Sequence, residues 1–316
     1  MATTRSLVFL AVLTAAPALA AAQAGSPPPS LTVTDASRAA RGGSQLDTIG
    51  GAFVRSIPIE VPAFHGIEPL LTLAYSSQAG NGFVGVGWRV SGFGVVERTR
   101  TGRGTPRFNS ADVFVLDGLE LIPCAAAPES PGCAAGGTHA TKQESYARIR
   151  FDASANTWTI WAKSGVRSVL EPVLETTRGT LRWGQARVID TSGNVVSYAW
   201  ECREGECYPA RISYGPYEVR LNRDPAPRSD VVTYATGGAS GVARMRYRLG
   251  SIVVARGTAV IRAYRLGYGT SAETGRSLLR EVQLFGHDVE IDGDGQIIAG
   301  SGTSLPAQTF RYQGTE

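Results

Sequence analysis

Lysine is nearly absent. Of 31 basic residues in the 316-residue chain only Lys142 and Lys163 are lysine, and the arginines are scattered, so a formal net charge of +4 builds no nucleic-acid groove. The densest basic group, Arg244, Arg246 and Arg248 with Met245 and Tyr247 between them, alternates and predicts one solvated strand face. The three histidines, His65, His139 and His287, lie far apart, without a ligand three or four residues on, and read as surface or turn residues. No G-x-S-x-G elbow and no Cys-x-x-Cys pair occurs. The expectation is a protein with no catalytic residue, no metal and no cofactor. Helical periodicity is missing beyond the first residues, no fixed repeat stands out, and no later apolar run reaches bilayer-spanning length.

What is present begins with Arg5, an apolar run at residues 7–13 and an A-x-A site at Ala18-Leu19-Ala20, with a second at Ala22-Gln23-Ala24. That pattern predicts a secretory signal peptide over residues 1–24. A Pro-, Ser- and Gly-rich leader is expected over 25–48, and one β domain over 49–316. The chain is therefore expected to be secreted, extracellular or periplasmic. Four cysteines at short spacing fit such a compartment. Of the three connectivities, local pairing of Cys124 with Cys133 and of Cys202 with Cys207 is expected, each closing a loop tip.

Residues 51–98 organise the rest. Ile57, Ile59 and Val61 share one face of an alternating run, and Leu71, Leu73 and Tyr75 share another. Pro62 and Gly66 punctuate the turn between them. Further on, Asp117-Gly118 and Thr191-Ser192-Gly193-Asn194 read as hairpin turns. About fifteen strand candidates arranged as hairpins predict an all-β fold of many short antiparallel strands, forming a large curved sheet or partial β-shell.

Three motifs invite stronger readings. Gly80-Asn81-Gly82-Phe83-Val84-Gly85 fits the G-x-G-x-x-G dinucleotide fingerprint, yet Gly87-Trp88-Arg89-Val90 after it has no helical period to face a pyrophosphate. The glycines are better read as positive-φ turns and as room for Trp88 against the backbone. Glu204-Gly205-Glu206 has the E-x-E form of ADP-ribosyltransferases but sits between two cysteines and reads as a solvated hairpin tip. Asp292-Gly293-Asp294-Gly295 lacks the spacing of a calcium loop and reads as a turn.

The order Ile57-Pro58-Ile59-Glu60-Val61-Pro62, then Pro69-Leu70-Leu71-Thr72-Leu73-Ala74-Tyr75-Ser76-Ser77, then Gly80-Asn81-Gly82 and Gly85-Val86-Gly87-Trp88 resembles the N-terminal domain of SpvB-type virulence proteins. The same domain opens the Rhs-related B components (TcB/TcaC) of insecticidal toxin complexes. Downstream, Asp112-Val113-Phe114, Asp190 to Tyr198, residues 209–215 and Phe310 with Tyr312 fit the same pattern, so the resemblance runs from about residue 48 to 314. It implies a non-catalytic scaffold or shell module of a toxin or virulence assembly and carries over no catalytic residue. It also implies structural roles for Ile57, Pro58, Pro62, Pro69, Tyr75, Gly80, Asn81, Gly82, Gly85, Gly87 and Trp88. Family members reach host cytoplasm. The propeller repeats, Rhs repeats and transferase domain that follow in the family are not found here. The chain is thus expected to be a lone adaptor or a piece of a longer toxin-type frame. An open sheet edge is expected at Phe310 and Tyr312, where a protein partner or a second copy pairs. Two alternatives are a toxin-enzyme fragment lacking its catalytic domain, and a surface glycan- or receptor-binding module using Phe64, Phe83 and Tyr208.

Overall fold

The structure is a computed structural model that describes residues 44–46 as backbone and 51–102, 104–238 and 241–312 in full. The expected signal peptide at 1–24, and the expected leader at 25–48 apart from 44–46, lie outside the described residues. Those three residues are not free leader: they form strand β1 (Ser44–Leu46) and pair antiparallel with β2 (Phe53–Ile59). β2 pairs with β3 (Leu71–Ser76), and β3 with β6 (Trp88–Ser91), completing a four-stranded sheet. The short hairpin of β4 (Asn81–Gly82) and β5 (Gly85–Val86) lies between β3 and β6 in sequence.

The next eight strands close on themselves: β7 (Val95–Arg100), β8 (Asp112–Leu116), β9 (Leu119–Pro123), β10 (His139–Thr141), β11 (Arg148–Asp152), β12 (Thr157–Trp161), β13 (Arg167–Thr176) and β14 (Gly179–Ile189). Each pairs antiparallel with the next, and β14 returns to β7 through Arg182–Glu97, Trp183–Val96 and Gly184–Val95. Eight strands leave an interior that side chains fill. Here Val96, Leu121, Ile149, Trp158, Leu170 and Trp183 fill it, with Phe114 and Phe151 against them. The Asp117-Gly118 turn has φ of 48° and 90°, the doubly positive pair of a tight β-hairpin turn. The loop after β9 holds two unexpected helical turns, a 3-10 turn at Cys124–Ala126 and α1 (Pro131–Ala134).

Beyond the barrel the sheet continues through β15 (Val195–Arg203), β16 (Glu206–Tyr214) and β17 (Tyr217–Arg223). A separate hairpin, β18 (Val232–Ala235) and β19 (Val242–Met245), intervenes in sequence. Then β20 (Leu249–Arg256), β21 (Ala259–Thr270), β22 (Ser277–Phe285) and β23 (Gln308–Thr309) complete the sheet. β14 is the branch point. Its first half pairs with β7, its second half pairs with β15, and its other edge pairs with β13 throughout. The register between β13 and β14 shifts at Val169/Leu170, a bulge of the kind that bends a strand at a barrel rim. The fold is all-β, as the alternation predicts. Its curvature is resolved into a closed barrel with an open sheet running from it.

The four-stranded sheet packs on that open sheet. Ile57, Ile59, Leu71, Leu73, Val84, Trp88 and Phe93 meet Val196, Ile212, Val219, Leu221, Ile252, Val254, Leu279 and Val282 in the largest core. β20 is buried along nearly its whole length because its other face is covered too, by Val289 and Ile291 from the segment after β22.

Candidate assembly site

Ile57, Pro58, Tyr75, Gly85 and Trp88 gather at one seam, where the four-stranded sheet and the β4–β5 hairpin meet β22, β23 and Tyr312. Ile57 is buried on β2, and Pro58 sits on β2 beyond the stretch that β1 covers, where a missing amide costs no ladder bond on that side. Pro62 is half-buried after β2, and Pro69 is buried just before β3. Tyr75 and Trp88 face each other across β3 and β6, with ring centroids 5.3 Å apart. The Trp88 indole N–H donates to the Tyr312 hydroxyl at 2.9 Å, which in turn donates to the Leu279 carbonyl at 2.7 Å. Phe310 packs on Trp88 at 4.9 Å. Burial pushes the Tyr312 phenol up to about 12, so it stays a donor across the physiological range. Phe53, Arg55, Tyr75, Trp88 and residues 309–312 border a cleft of about 310 Å³.

The four glycines divide into two pairs. Gly85 and Gly87 have φ of 86° and 79°, and a Cβ on Gly87 would meet the Tyr75 ring at 2.4 Å. Gly80 and Gly82 have no positive φ, which corrects the uniform turn reading of the run. They serve through carbonyls: Gly80 accepts from the Gly87 amide, and Gly82 accepts from Arg228 at 2.7 Å.

Arg228 and Asp230 are the residues that sequence reasoning missed. The Arg228 side chain is 0% exposed and forks onto Asp230, with both N–O distances 2.9 Å. Arg228 also donates to the Asn81 amide oxygen at 2.6 Å, while the Asn81 amide nitrogen donates to Asp230 at 2.9 Å. The Ser277 amide and hydroxyl complete the carboxylate's shell at 2.6 and 2.5 Å. Burial alone would push the Asp230 carboxyl up, but the donors from Arg228, Ser277 and Asn81 outweigh it and hold it well below the usual carboxylate range. The only sequence sign was a charged pair two residues apart in a loop. Asn81 therefore ties the motif hairpin to the loop before β18 and to the start of β22.

Several sequence expectations are corrected. Glu206 is not in a solvated tip. It is 0% exposed, pairs with Arg182 at 2.6 Å and accepts from the Tyr234 hydroxyl at 2.5 Å. The turn ends at Gly205, and β16 opens with three buried residues in a row, Glu206, Cys207 and Tyr208, because both of its faces are covered there. The basic group is not one solvated strand face: β19 ends at Met245, Arg246 makes a surface pair with Glu204, and Arg248 pairs with Asp224. His139 is a strand residue lying 4.9 Å from the Trp158 ring, and burial pushes it down to about 4. Tyr208 is buried, and Phe64 and Phe83 pack on the main core, which removes the exposed aromatics of the glycan-binding alternative. The cysteines pair as 124–133 and 202–207, with Cα separations of 5.5 and 4.0 Å. Asp292 accepts from the Asp294 and Gln296 amides, a turn.

The expected open edge lies earlier than Phe310 and Tyr312. The Phe310 amide donates to Arg280, and both rings point into the seam. β23 is the last strand of the large sheet. Ser304 bridges Phe285 and the Leu305 amide donates to Leu284, so 304–309 forms the border. There Leu305 is 60% exposed beside a groove of about 280 Å³ lined by Ile261, Leu284 and Phe285.

Comparison with known proteins bears out the resemblance. Residues 47–152 match the model of the Salmonella virulence plasmid 65kDa B protein family, SpvB. Over 94 residues, 29% of this chain, the sequence is 35% identical to the mono(ADP-ribosyl)transferase SpvB of Salmonella typhimurium. Those residues span 16% of that relative. The fold is similar to the TcdB2-TccC3 crystal structure, with a TM-score of 0.66 and 17% identity over 87% of this chain and 17% of that one. It is also similar to the N-terminal domain of the effector SpvB from Salmonella typhimurium strain LT2, with a TM-score of 0.59 and 16% identity over 73% of this chain and 98% of that one. The likeness is to an SpvB/Tc-type N-terminal domain.

Proposed function

We propose that this chain is an exported, non-catalytic β-scaffold that contributes its sheet to a toxin shell or virulence-associated assembly. The observation that carries this reading is the seam. Motif residues spent on structure (Gly85, Asn81, Trp88) lock an N-terminal sheet onto β22 and β23, which places a finished, rigid wall beside an exposed sheet border. A border with unpaired backbone groups and an exposed apolar side chain is a template for another strand. The fold-level likeness to TcdB2-TccC3 supports a role as part of a larger wall. The partner at the border is a protein segment, either from the same assembly or from a second copy of this chain.

The ADP-ribosyltransferase reading draws on the name of a relative whose matched part is 16% of its length. The E-x-E carboxylates do not favour it, because Glu206 is consumed by Arg182 and Tyr234. Incubation with labelled NAD and a host-cell lysate tests it. No label transfer is expected, and transfer abolished by Glu206→Gln in a folded protein would reverse the assignment. Light scattering tests the assembly reading, with a mass above one chain expected at high concentration.

A further inference from the structure

The outer wall of the barrel at β11–β13 carries an ordered basic and aromatic ladder. The register sets Arg148 opposite Trp161 and Arg150 opposite Thr159, with Arg167 on the far side of Trp161. Ile149, Phe151, Trp158 and Leu170 point into the barrel, so Arg148, Arg150, Trp161 and Arg167 point out. The Arg148 guanidinium lies 3.7 Å from the Trp161 ring centroid. One rung further, Lys163 lies 3.8 Å from the centroid of Tyr146, a ring that is 54% exposed. Cation and aromatic thus swap sides between the strand pair and the segments that flank it.

Elsewhere in this fold, strand arginines meet carboxylates across the sheet: Arg182 with Glu97, Arg187 with Glu171, Arg211 with Glu218 and Arg265 with Glu281. Among the described residues, none of Arg148, Arg150, Lys163 and Arg167 is closed into an ion pair, although the exposed Asp152 feels the charge of Arg150 two residues before it. Four cations therefore stand together on the barrel wall, and none is held in a closed ion pair. Stacking on Trp161 and the Nη1–H bond to the Ala135 carbonyl already order the Arg148 guanidinium, so it loses little side-chain entropy on binding. Trp, Tyr and Arg are also the residue types that dominate protein–protein hot spots. Base stacking is disfavoured, because a cation already occupies a face of each ring.

We propose that this ladder is a docking surface for an acidic protein segment, whose Asp and Glu side chains complete the missing ion pairs. The surface is distinct from the β23 border and stands or falls separately from the shell reading.

The test uses poly-L-glutamate as probe, with the chain from residue 25 onward in about 50 mM salt, where exposed charges are weakly screened. Heparin and phosphatidylglycerol vesicles are measured in parallel. Arg148→Glu/Arg150→Glu/Arg167→Glu is compared with Arg89→Glu/Arg244→Glu/Arg256→Glu, three exposed arginines outside the ladder with the same change of charge. Melting curves confirm that both variants fold. The ladder variant is expected to lose about tenfold or more in poly-L-glutamate affinity and the control about twofold or less. Trp161→Ala, which alters no charge, is expected to lose severalfold. Absence of poly-L-glutamate binding, equal loss in the two triple variants, or tighter ladder-dependent binding of heparin or vesicles would each overturn the proposal.

Discussion

A Cβ placed on Gly85 would sit 2.7 Å from the Ser277 carbonyl oxygen, closer than real side chains approach a backbone atom. The glycine cluster is where the β4–β5 hairpin presses directly on β22, backbone to backbone. Gly85→Ala is expected to lose about 2–4 kcal/mol from combined left-handed strain and contact. Gly193 supplies the control, with the same φ of 86° and nothing within 4 Å of its would-be Cβ. Gly193→Ala is expected to cost only about 1 kcal/mol. Urea midpoints of the two variants measure the difference, and equal losses would remove the contact account.

Asp230→Asn leaves a fully buried Arg228 without its counter-charge, and a loss of about 3–5 kcal/mol is expected. Asp230 also sets an acid limit. Its folded carboxyl titrates below its unfolded value, so its contribution is fully present above about pH 4 and fades as pH falls through the folded value. The acid sensitivity of the wild-type melting temperature is expected to flatten below about pH 4 in Asp230→Asn. An unchanged slope would show that the clamp contributes nothing.

At high pH the sign reverses. Burial raises the Tyr312 and Tyr198 phenols to about 12, against about 10 in the unfolded chain. The unfolded state therefore releases these protons first, and stability is expected to fall as pH rises from about 10 towards 12. Tyr312→Phe removes one of these groups and should shallow that fall. A melting temperature that stays flat across that range would contradict the burial assigned to these hydroxyls.

Gly184 stands where β14 leaves the barrel, and a Cβ there would meet the Trp200 indole at 2.4 Å. Gly184→Ala is expected to cost about 1–3 kcal/mol by overpacking. Trp200→Leu in the same chain should recover part of that loss. A double-mutant cycle with no coupling would show that the junction tolerates the methyl group.

Alternation on Ile57, Ile59, Leu71 and Leu73, and the Asp117-Gly118 turn, made the strands and their antiparallel pairing readable, because local period and turn chemistry fix both. Barrel closure was not readable. It depends on Trp183 pairing back to Val96 across nearly ninety residues, and a long-range pairing leaves no local mark. The glycine run was legible as structure rather than as a phosphate cradle, since no helix follows it. Its partners, Arg228, Asp230 and Ser277, were not, because a loop ion pair looks like any solvated pair until burial is known. Glu206 misled for the same reason: a tip residue and the first buried residue of β16 differ by one position.

Self-pairing at the β23 border is tested most directly by size-exclusion chromatography with light scattering on the chain from residue 25 onward, from about one to one hundred micromolar. Edge pairing through 304–309 predicts a weight-average mass that climbs above that of one chain as concentration rises. It also predicts that Leu305→Lys, which puts a charge on the border, returns the mass to one chain. A mass fixed at one chain over the whole range, or association untouched by Leu305→Lys, would contradict it.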